Sequence, residues 1–271
     1  MPMPISIEYD HLQDLLKTSW AAQRRVVTVG GKANTEGWEL GFHSHTKAQL
    51  LLVLSGVVTC EVEPGIWLVP PGSALFIAGG LSHRLAIAGE VSTYVTLVSA
   101  EAARPLPSKC CTITVTPLLR ALIVRSAEFP MDGDQTATES HVSELLLSEL
   151  AAADTGDLHL PMPSDPRLRA IFVGIMANPA ERGTIETWAR QSGLGQRTLE
   201  RLILSETGLS FGRWRQQLNI LLALRWMAEG KTVQQVAFDL GYESVGSFIT
   251  MFRKMLGSSP GRYMSARSDW H

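Results

Sequence analysis

Two stretches near the C-terminus repeat one design, and that repetition constrains the fold more than any other feature of the chain. In TIETWARQSGLG followed by QRTLERLILSETG, a short helix carrying Ile185, Trp188 and Ala189 reaches a tight turn at Gly193. A second helix, with Leu199, Leu202 and Ile203 on its core face, then ends at Gly208. In the second stretch Thr232 caps the helix VQQVAFDLG with Gln235 at the reciprocal capping-box position, and a turn follows at Gly241. Ser244 caps the next helix, VGSFITMFRKMLG, whose buried face is Phe248, Met251 and Phe252; Gly257 and Pro260 are expected to stop it. Between the units, SFGRWRQQLNILLALRWMAEG reads as one amphipathic helix from the N-cap Ser210 to Gly230, with Phe211, Trp214, Leu218, Leu221, Leu222 and Ala228 apolar. Nearly twenty residues at 1.5 Å each make a rod of roughly 28 Å. That is close to the ~34 Å between successive major-groove faces of B-DNA, so one rod can set two helices a turn apart.

A single helix-turn-helix pattern is often only a helical hairpin. Two of them on one rigid connector are far more specific, and charge supports a polyanion partner for this half. Residues 166–271 hold 14 Lys and Arg against 8 Asp and Glu, whereas residues 1–165 hold 10 against 18. Layout and residues, above all GYESVGSFITMFRKMLGSSPGRYM, resemble the DNA-binding domain of the AraC/XylS family over about a hundred residues. That resemblance implies a transcriptional regulator bound to double-stranded promoter DNA, with RNA polymerase a candidate further partner. It places Gln196, Arg197, Glu200 and Arg201 on the first reading helix, and Val245, Gly246, Ser247 and Thr250 on the second. Arg matches guanine O6 and N7 bidentately, Gln suits adenine, and Glu accepts from cytosine N4. Sequence discrimination is therefore expected mainly from the first unit. The second adds affinity through Arg253, Lys254 and helix-terminal amides. Two residues depart from the family pattern: Gly195 stands where a serine N-cap is usual, at a cost of ~0.5 kcal/mol or less, and Gly246 removes a side chain from the second helix.

The N-terminal half has another texture. From Arg24 to Thr116, β-branched and aliphatic runs such as VVTVGG, WELGFHSH, LLLVLSG, VVTCEVEPG and IWLVPPGSALFIAGG are broken by Gly and Pro, the signature of an all-β barrel or sandwich. Then Leu118, Leu119, Leu122 and Ile123 make one helical stripe, and Val142, Leu145, Leu146, Leu147 and Leu150 another. These helices are expected to pack on the barrel or on a second copy of the chain, which makes a homodimer a candidate assembly. LPMPSDP, 160–166, reads as the linker into the last domain. The expected organisation is an α+β multidomain chain: a barrel over 1–116, a central helical segment over 117–163 and an all-α domain over 164–271.

GWELGFHSHTKAQLLLVLSG, residues 37–56, resembles the first motif of the cupin family, with Gly37, His43, His45, Gln49 and Gly56 at its spacings. The weaker second motif is AGGLSHRL, where Gly80 and His83 match and Ala78 replaces the usual proline. Residues two apart on a strand face one side, so His43 and His45 are expected to point together into the barrel, with His83 joining from another strand. Three imidazoles make an open site for Ni, Zn or Fe. Gln49 in place of the usual glutamate is a poorer ligand and leaves a dication without charge compensation. The histidines otherwise line an organic-effector pocket or serve as structural hydrogen-bonders. Cupin barrels also serve enzymes, so a cupin metalloenzyme with a vestigial DNA-binding tail is the alternative. No carboxylate stands at a recognisable general-base spacing, and no catalytic residue is assigned. Cys60, Cys110 and Cys111 form neither a CxxC pair nor a dense disulfide set. With 45% apolar residues but no run near the ~18 needed to span a bilayer, the chain reads as cytoplasmic and without a membrane partner.

Overall fold

The run Gln49 to Leu54 lacks the alternation of a half-solvated strand because it is covered on both faces. The computed structural model of the chain describes residues 9–268, apart from 57, 64, 70, 71, 157, 158 and 182. It divides into two compact units, the second made up of the residues from His159 onward together with Glu63–Ile66. In the first, helix α1 (Tyr9–Ala21) precedes strands β1 (Val26–His43), β2 (Ala48–Ser55), β3 (Val58–Val62), β4 (Gly65–Val69), β5 (Ser73–Ile77), β6 (His83–Val98) and β7 (Cys111–Ile113). Helices α2 (Pro117–Ser126) and α3 (Ala137–Ala152) and the short strand β8 (Thr155–Gly156) complete it. The sheet runs in the order β8-β7-β5-β2-β6-β3-β4, and β1 also pairs antiparallel with β6.

Leu50 and Leu52 of β2, with Phe76 of β5 and Tyr94 of β6, pack against Leu119 and Ile123 of α2 and Leu146 and Leu150 of α3. Leu51 and Val53 point the other way, into a second core with Cys60, Trp67, Leu85, Ile87 and Leu97. A strand buried on both faces has no position left for a polar residue without a partner. The central helices thus belong to the sheet's outer core, and Gln49, on the Leu51 face by the two-residue period, faces the inner one. β1 runs unbroken through Gly30 and Gly31, which sit opposite Tyr94 and Thr93 rather than in a turn. Gly30 is glycine because any Cβ there would strike the Tyr94 ring.

The second unit holds β9 (His159–Pro161), α4 (Pro166–Ala177), α5 (Ile185–Gln191), α6 (Gln196–Thr207), α7 (Phe211–Ala228), α8 (Val233–Asp239), α9 (Val245–Leu256) and α10 (Pro260–Ser268). Its centre is Trp214 of α7, fully buried, stacked on Phe172 of α4 at 3.7 Å between ring centroids. The indole Nε1 donates to the Pro161 carbonyl at 2.9 Å, so the proline-rich stretch also satisfies a buried donor. Asp165 then caps α4, with Pro166 as the first helical residue. Pro260 does not act as a stop: Gly257 ends α9 in the left-handed conformation, and Pro260 opens α10. A proline needs no intrahelical N–H partner at a first turn, which is why the same residue type suits both roles.

Candidate DNA-reading helices and histidine centre

The reading helices are built as their caps dictate. Thr184 and Ser210 cap α5 and α7 through their hydroxyls, and Thr232 and Gln235 form the reciprocal capping box of α8. Gly193 and Gly241 take left-handed φ at the two turns, a conformation that favours glycine. Gly195, at the N-cap of α6, supplies no side-chain bond to the helix it opens. α6 buries Leu199 and Ile203 and leaves Gln196, Arg197, Glu200 and Arg201 exposed. Gln196 Nε2 donates to Glu200 Oε1 at 3.0 Å, one turn along. α9 buries Phe248 and Phe252 and exposes Gly246, Ser247 and Thr250, whereas Val245 is half-buried. Its hydroxyls are engaged locally. Thr250 Oγ1 donates to the Gly246 carbonyl at 2.9 Å, and Ser247 Oγ meets the capping Ser244 Oγ at 2.9 Å. Arg253 and Lys254 lie exposed in the last turn of α9, away from its N-terminal end. The connector α7 has 18 residues, about 27 Å of rise.

In the first unit His43, His45 and His83 come together, each offering a ring nitrogen within 4.8 Å of the others'. Two of them arrive as expected: His43, the last residue of β1, lies directly across from His83, the first of β6. His45 does not lie on the strand. It sits in the loop after β1, and the pairing of ring faces comes from loop geometry rather than strand alternation. That loop is held against the turn before β6. Gly80 N donates to the His45 carbonyl at 2.8 Å, and a Cβ at Gly79 would collide with the Thr46 carbonyl oxygen. Gly79 is thus needed for close backbone approach, and Gly80 for its left-handed φ of 84°.

All three imidazoles use Nδ1 on a backbone carbonyl: His43 to Gly41 at 2.8 Å, His45 to Lys47 at 2.7 Å and His83 to Leu81 at 2.9 Å. A carbonyl only accepts, so Nδ1 carries the proton and each Nε2 presents a lone pair. His43 Nε2 and His83 Nε2 are buried and have no hydrogen-bond partner. Burial holds the imidazolium form of His83 down to a pKa of about 4 and lowers that of His45 as well. Gln49, almost wholly buried, brings Oε1 to 3.1 Å from His45 Nε2, while its own Nε2 has no partner. Two acceptors facing each other across that gap are what a shared cation relieves. Tetrahedral ligands at about 2.0–2.1 Å from zinc stand roughly 3.4 Å apart, so nitrogens that lie within 4.8 Å of one another would draw together by up to about 1.4 Å around an ion. The Nδ1-to-carbonyl bonds already supply the outer-shell orientation that ligating histidines use.

Three further residues of this unit, two of them at the histidine centre, were not singled out from sequence. Trp20 of α1 stacks on His43 at 5.1 Å and lies 5.5 Å from His45, with its Nε1 buried and unpartnered. Lys47 is buried and donates from Nζ to the carbonyls of Ser19 and Ala22, at 3.0 and 2.5 Å, tying the end of α1 to the loop that carries His45. Arg24, just after α1, pairs with Glu139 at 3.2 Å, and Glu139 is also the capping-box partner of Thr136 at the start of α3. A buried lysine or arginine can be recognised only once its partner carbonyls and carboxylate are placed. Leu15, Leu16, Ser19 and Trp20, at helical spacing, were the available signal for α1. Elsewhere in this unit burial pushes the Cys60 thiol up to about 12, which makes it an inert core residue. None of the three cysteines is in a disulfide.

Comparison with known proteins agrees in both units. The family described as "Helix-turn-helix domain" matches residues 188–266, and that described as "AraC-like ligand binding domain" matches residues 25–151. The HTH-type transcriptional regulator NimR of Escherichia coli is 38% identical over 233 residues, covering 86% of this chain and 85% of the relative. The HTH-type transcriptional regulator RipA of Corynebacterium glutamicum is 29% identical over 107 residues, 40% of this chain and 32% of that protein. Among solved structures, ToxT of Vibrio cholerae covers 89% of this chain and 98% of its own at 11% identity, with a TM-score of 0.37. Among the described residues, no helix is long and apolar enough to cross a membrane.

Proposed function

The chain belongs to the AraC-type family of transcriptional regulators, with a ligand-binding domain ahead of its helix-turn-helix DNA-binding domain, and on that premise we propose that a divalent metal in the histidine centre is the effector to which its promoter binding responds. The observation that carries this reading is the cluster of three imidazoles, each with a ring nitrogen within 4.8 Å of the others', in which the Nε2 lone pairs of His43 and His83 are buried with no proton to accept. An unpaired buried acceptor costs about 1–3 kcal/mol, and metal coordination is one of the few ways to offset two of them together. Neutral imidazoles favour zinc, nickel or iron over magnesium or calcium. His43, His45 and His83 would hold the ion, with Gln49 Oε1 a weak fourth ligand.

An effector shifts an equilibrium only through its differential affinity for two states. The contacts available to report occupancy are those of Trp20, which rests on two of the ligands, of Lys47, which ties the C-terminal end of α1 to the loop carrying His45, and of Arg24, which ties the residues after α1 to α3. On DNA, Gln196, Arg197, Glu200 and Arg201 carry the base readout. Val245, Gly246, Ser247 and Thr250 fit closely against the second groove, where Arg253 and Lys254 add phosphate affinity. The outward Leu118 of α2 and Leu145 of α3, 47% and 45% exposed, are assigned to a second copy of the chain. RNA polymerase, met at the promoter in the cytoplasm, is the remaining partner.

The test is binding of the purified protein to the region upstream of its own gene, titrated with nickel and with zinc and repeated on the His43→Ala/His45→Ala variant. Metal-dependent specific binding that the variant loses is the expected result. Specific binding indifferent to both metals overturns the metal reading in favour of an organic effector, and turnover of a substrate without specific DNA binding would restore the enzyme alternative.

A further inference from the structure

Among the described residues, no carboxylate joins His43, His45 and His83 at this centre, so a dication there would have no described negative charge beside it. Among the described residues, the charged groups acting on His45 are His43 and Lys47 and those acting on His83 are His43 and His45; none of these is a carboxylate. Asp132, the acid that acts on Lys47, faces that cation. The fourth side chain, Gln49, is neutral. Three imidazoles and an amide therefore leave the full charge of the ion in a buried setting, where an uncompensated charge is strongly disfavoured. The same site holds the opposite imbalance in hydrogen bonding. Two buried N–H donors lack acceptors, the indole Nε1 of Trp20 and the amide Nε2 of Gln49. The Trp20 ring lies on His43 and His45, and Gln49 Oε1 touches His45, so both donors belong to side chains in contact with the ligands.

We propose that the histidine centre takes its metal together with a small oxyanion of the carboxylate class, which fills the open coordination position and accepts from Trp20 and Gln49. This inference rests on the metal reading above and adds the ligand class to it. One group answers both deficits. A carboxylate supplies the missing negative charge, and its oxygens are acceptors only, with lone pairs left for N–H donors after one oxygen coordinates. A neutral ligand such as an alcohol or amide would satisfy the donors but not the charge. An isolated halide would do the reverse, since it lacks a second atom to reach the donors. Gln49 is then the residue that keeps the site dependent on an added anion, because a glutamate there would supply the charge from the chain itself.

Cobalt(II) loaded into the full-length protein gives a visible spectrum that reports its coordination. The probe is sodium acetate, with sodium perchlorate at equal ionic strength as the weakly coordinating control. Acetate is expected to change the cobalt spectrum saturably and perchlorate is not. Trp20→Phe keeps a ring over His43 but loses the N–H, and should weaken acetate roughly tenfold while leaving cobalt affinity within a factor of about two. Gln49→Glu should tighten cobalt by about tenfold and abolish the acetate response, a gain of function that a misfolded variant could not show. A wild-type spectrum that acetate alters no more than perchlorate does overturns the proposal even though the metal binds. So does a Gln49→Glu variant that responds to acetate like the wild type. Failure of cobalt, zinc and nickel to bind at all overturns the metal reading first, and this inference falls with it.

Discussion

The two units carry their function in opposite places. In the reading unit, Gln196, Arg197, Glu200 and Arg201 stand on the outside of a helix whose stability comes from Leu199 and Ile203 on the other face. In the sensing unit, His83 and Gln49 are almost wholly buried and their unpaired atoms lie inside the core. An exposed functional residue can change without cost to the fold, whereas a buried one is part of the packing and burdens it until its ligand arrives. If α6 reads the operator and the histidines hold the effector, as proposed, the operator can vary through surface substitutions on α6 while the effector site stays tied to the stability of the sheet.

The largest effect is expected where sensing and folding share a residue. Glu139→Ala removes the carboxylate that pairs with buried Arg24 and the capping-box partner of Thr136, and should cost about 3 kcal/mol of stability. Chemical denaturation checks this, and a loss under about 1 kcal/mol would show that Arg24 finds other partners. Next come Arg197→Ala and Arg201→Ala. Each should weaken specific DNA binding by about 1–3 kcal/mol with an unchanged melting temperature. Unaltered base preference in both, measured on operator variants, would remove α6 from the reading role. His83→Leu should work in the opposite sense and raise the stability of the metal-free protein by about 1 kcal/mol while abolishing metal binding, because it replaces an unsatisfied buried acceptor with an apolar side chain.

That variant also sharpens the pH behaviour. The folded pKa of His83, about 4, lies below the ordinary 6.5, so the folded state binds fewer protons than the unfolded one. Its contribution is fully present above pH 6.5 and is lost as the pH falls toward 4. In the presence of a chelator, wild-type melting temperature should drop across that window more steeply than that of His83→Leu; parallel curves would break the assignment. The smallest effect is at Gly195, which opens α6 without a side-chain cap. Gly195→Ser should add a few tenths of a kcal/mol to the reading unit and leave the sensing unit untouched.

The caps, turns and apolar faces of α5 to α9 were legible residue by residue because a helix-turn-helix unit is made of contacts between near neighbours. Thr232 with Gln235, Ser244 and Gly193 each act within four residues of themselves, whereas Gly241 takes a local turn conformation but also lies against the Ala180 backbone. α1, α4 and α10 were not legible in the same way. Pro260 carries the same signal whether it ends one helix or opens the next, and its role is settled by the helix that Gly261 to Ser268 form after it. For the sheet, alternation and turn residues indicated many short strands. They did not reveal that β1 passes straight through Gly30 and Gly31, since only the Tyr94 ring across the ladder requires glycine at Gly30.

The sequence by itself determined which residues could ligate a metal, because His43, His45, Gln49 and His83 fall at recognisable spacings. It also determined that the second half of the chain reads DNA, because that half is written in local signals. Only the tertiary structure decided that the imidazoles meet, through a cross-strand pair and a loop held by the Gly79 and Gly80 backbone. It alone decided that their Nδ1 protons are committed to carbonyls, that Trp20 covers two of them, and that no carboxylate of the described residues stands among the groups acting on His45 and His83. The reason is range. Charge compensation and unsatisfied hydrogen bonds are properties of groups brought together from distant parts of the chain, and no window along the sequence contains them both.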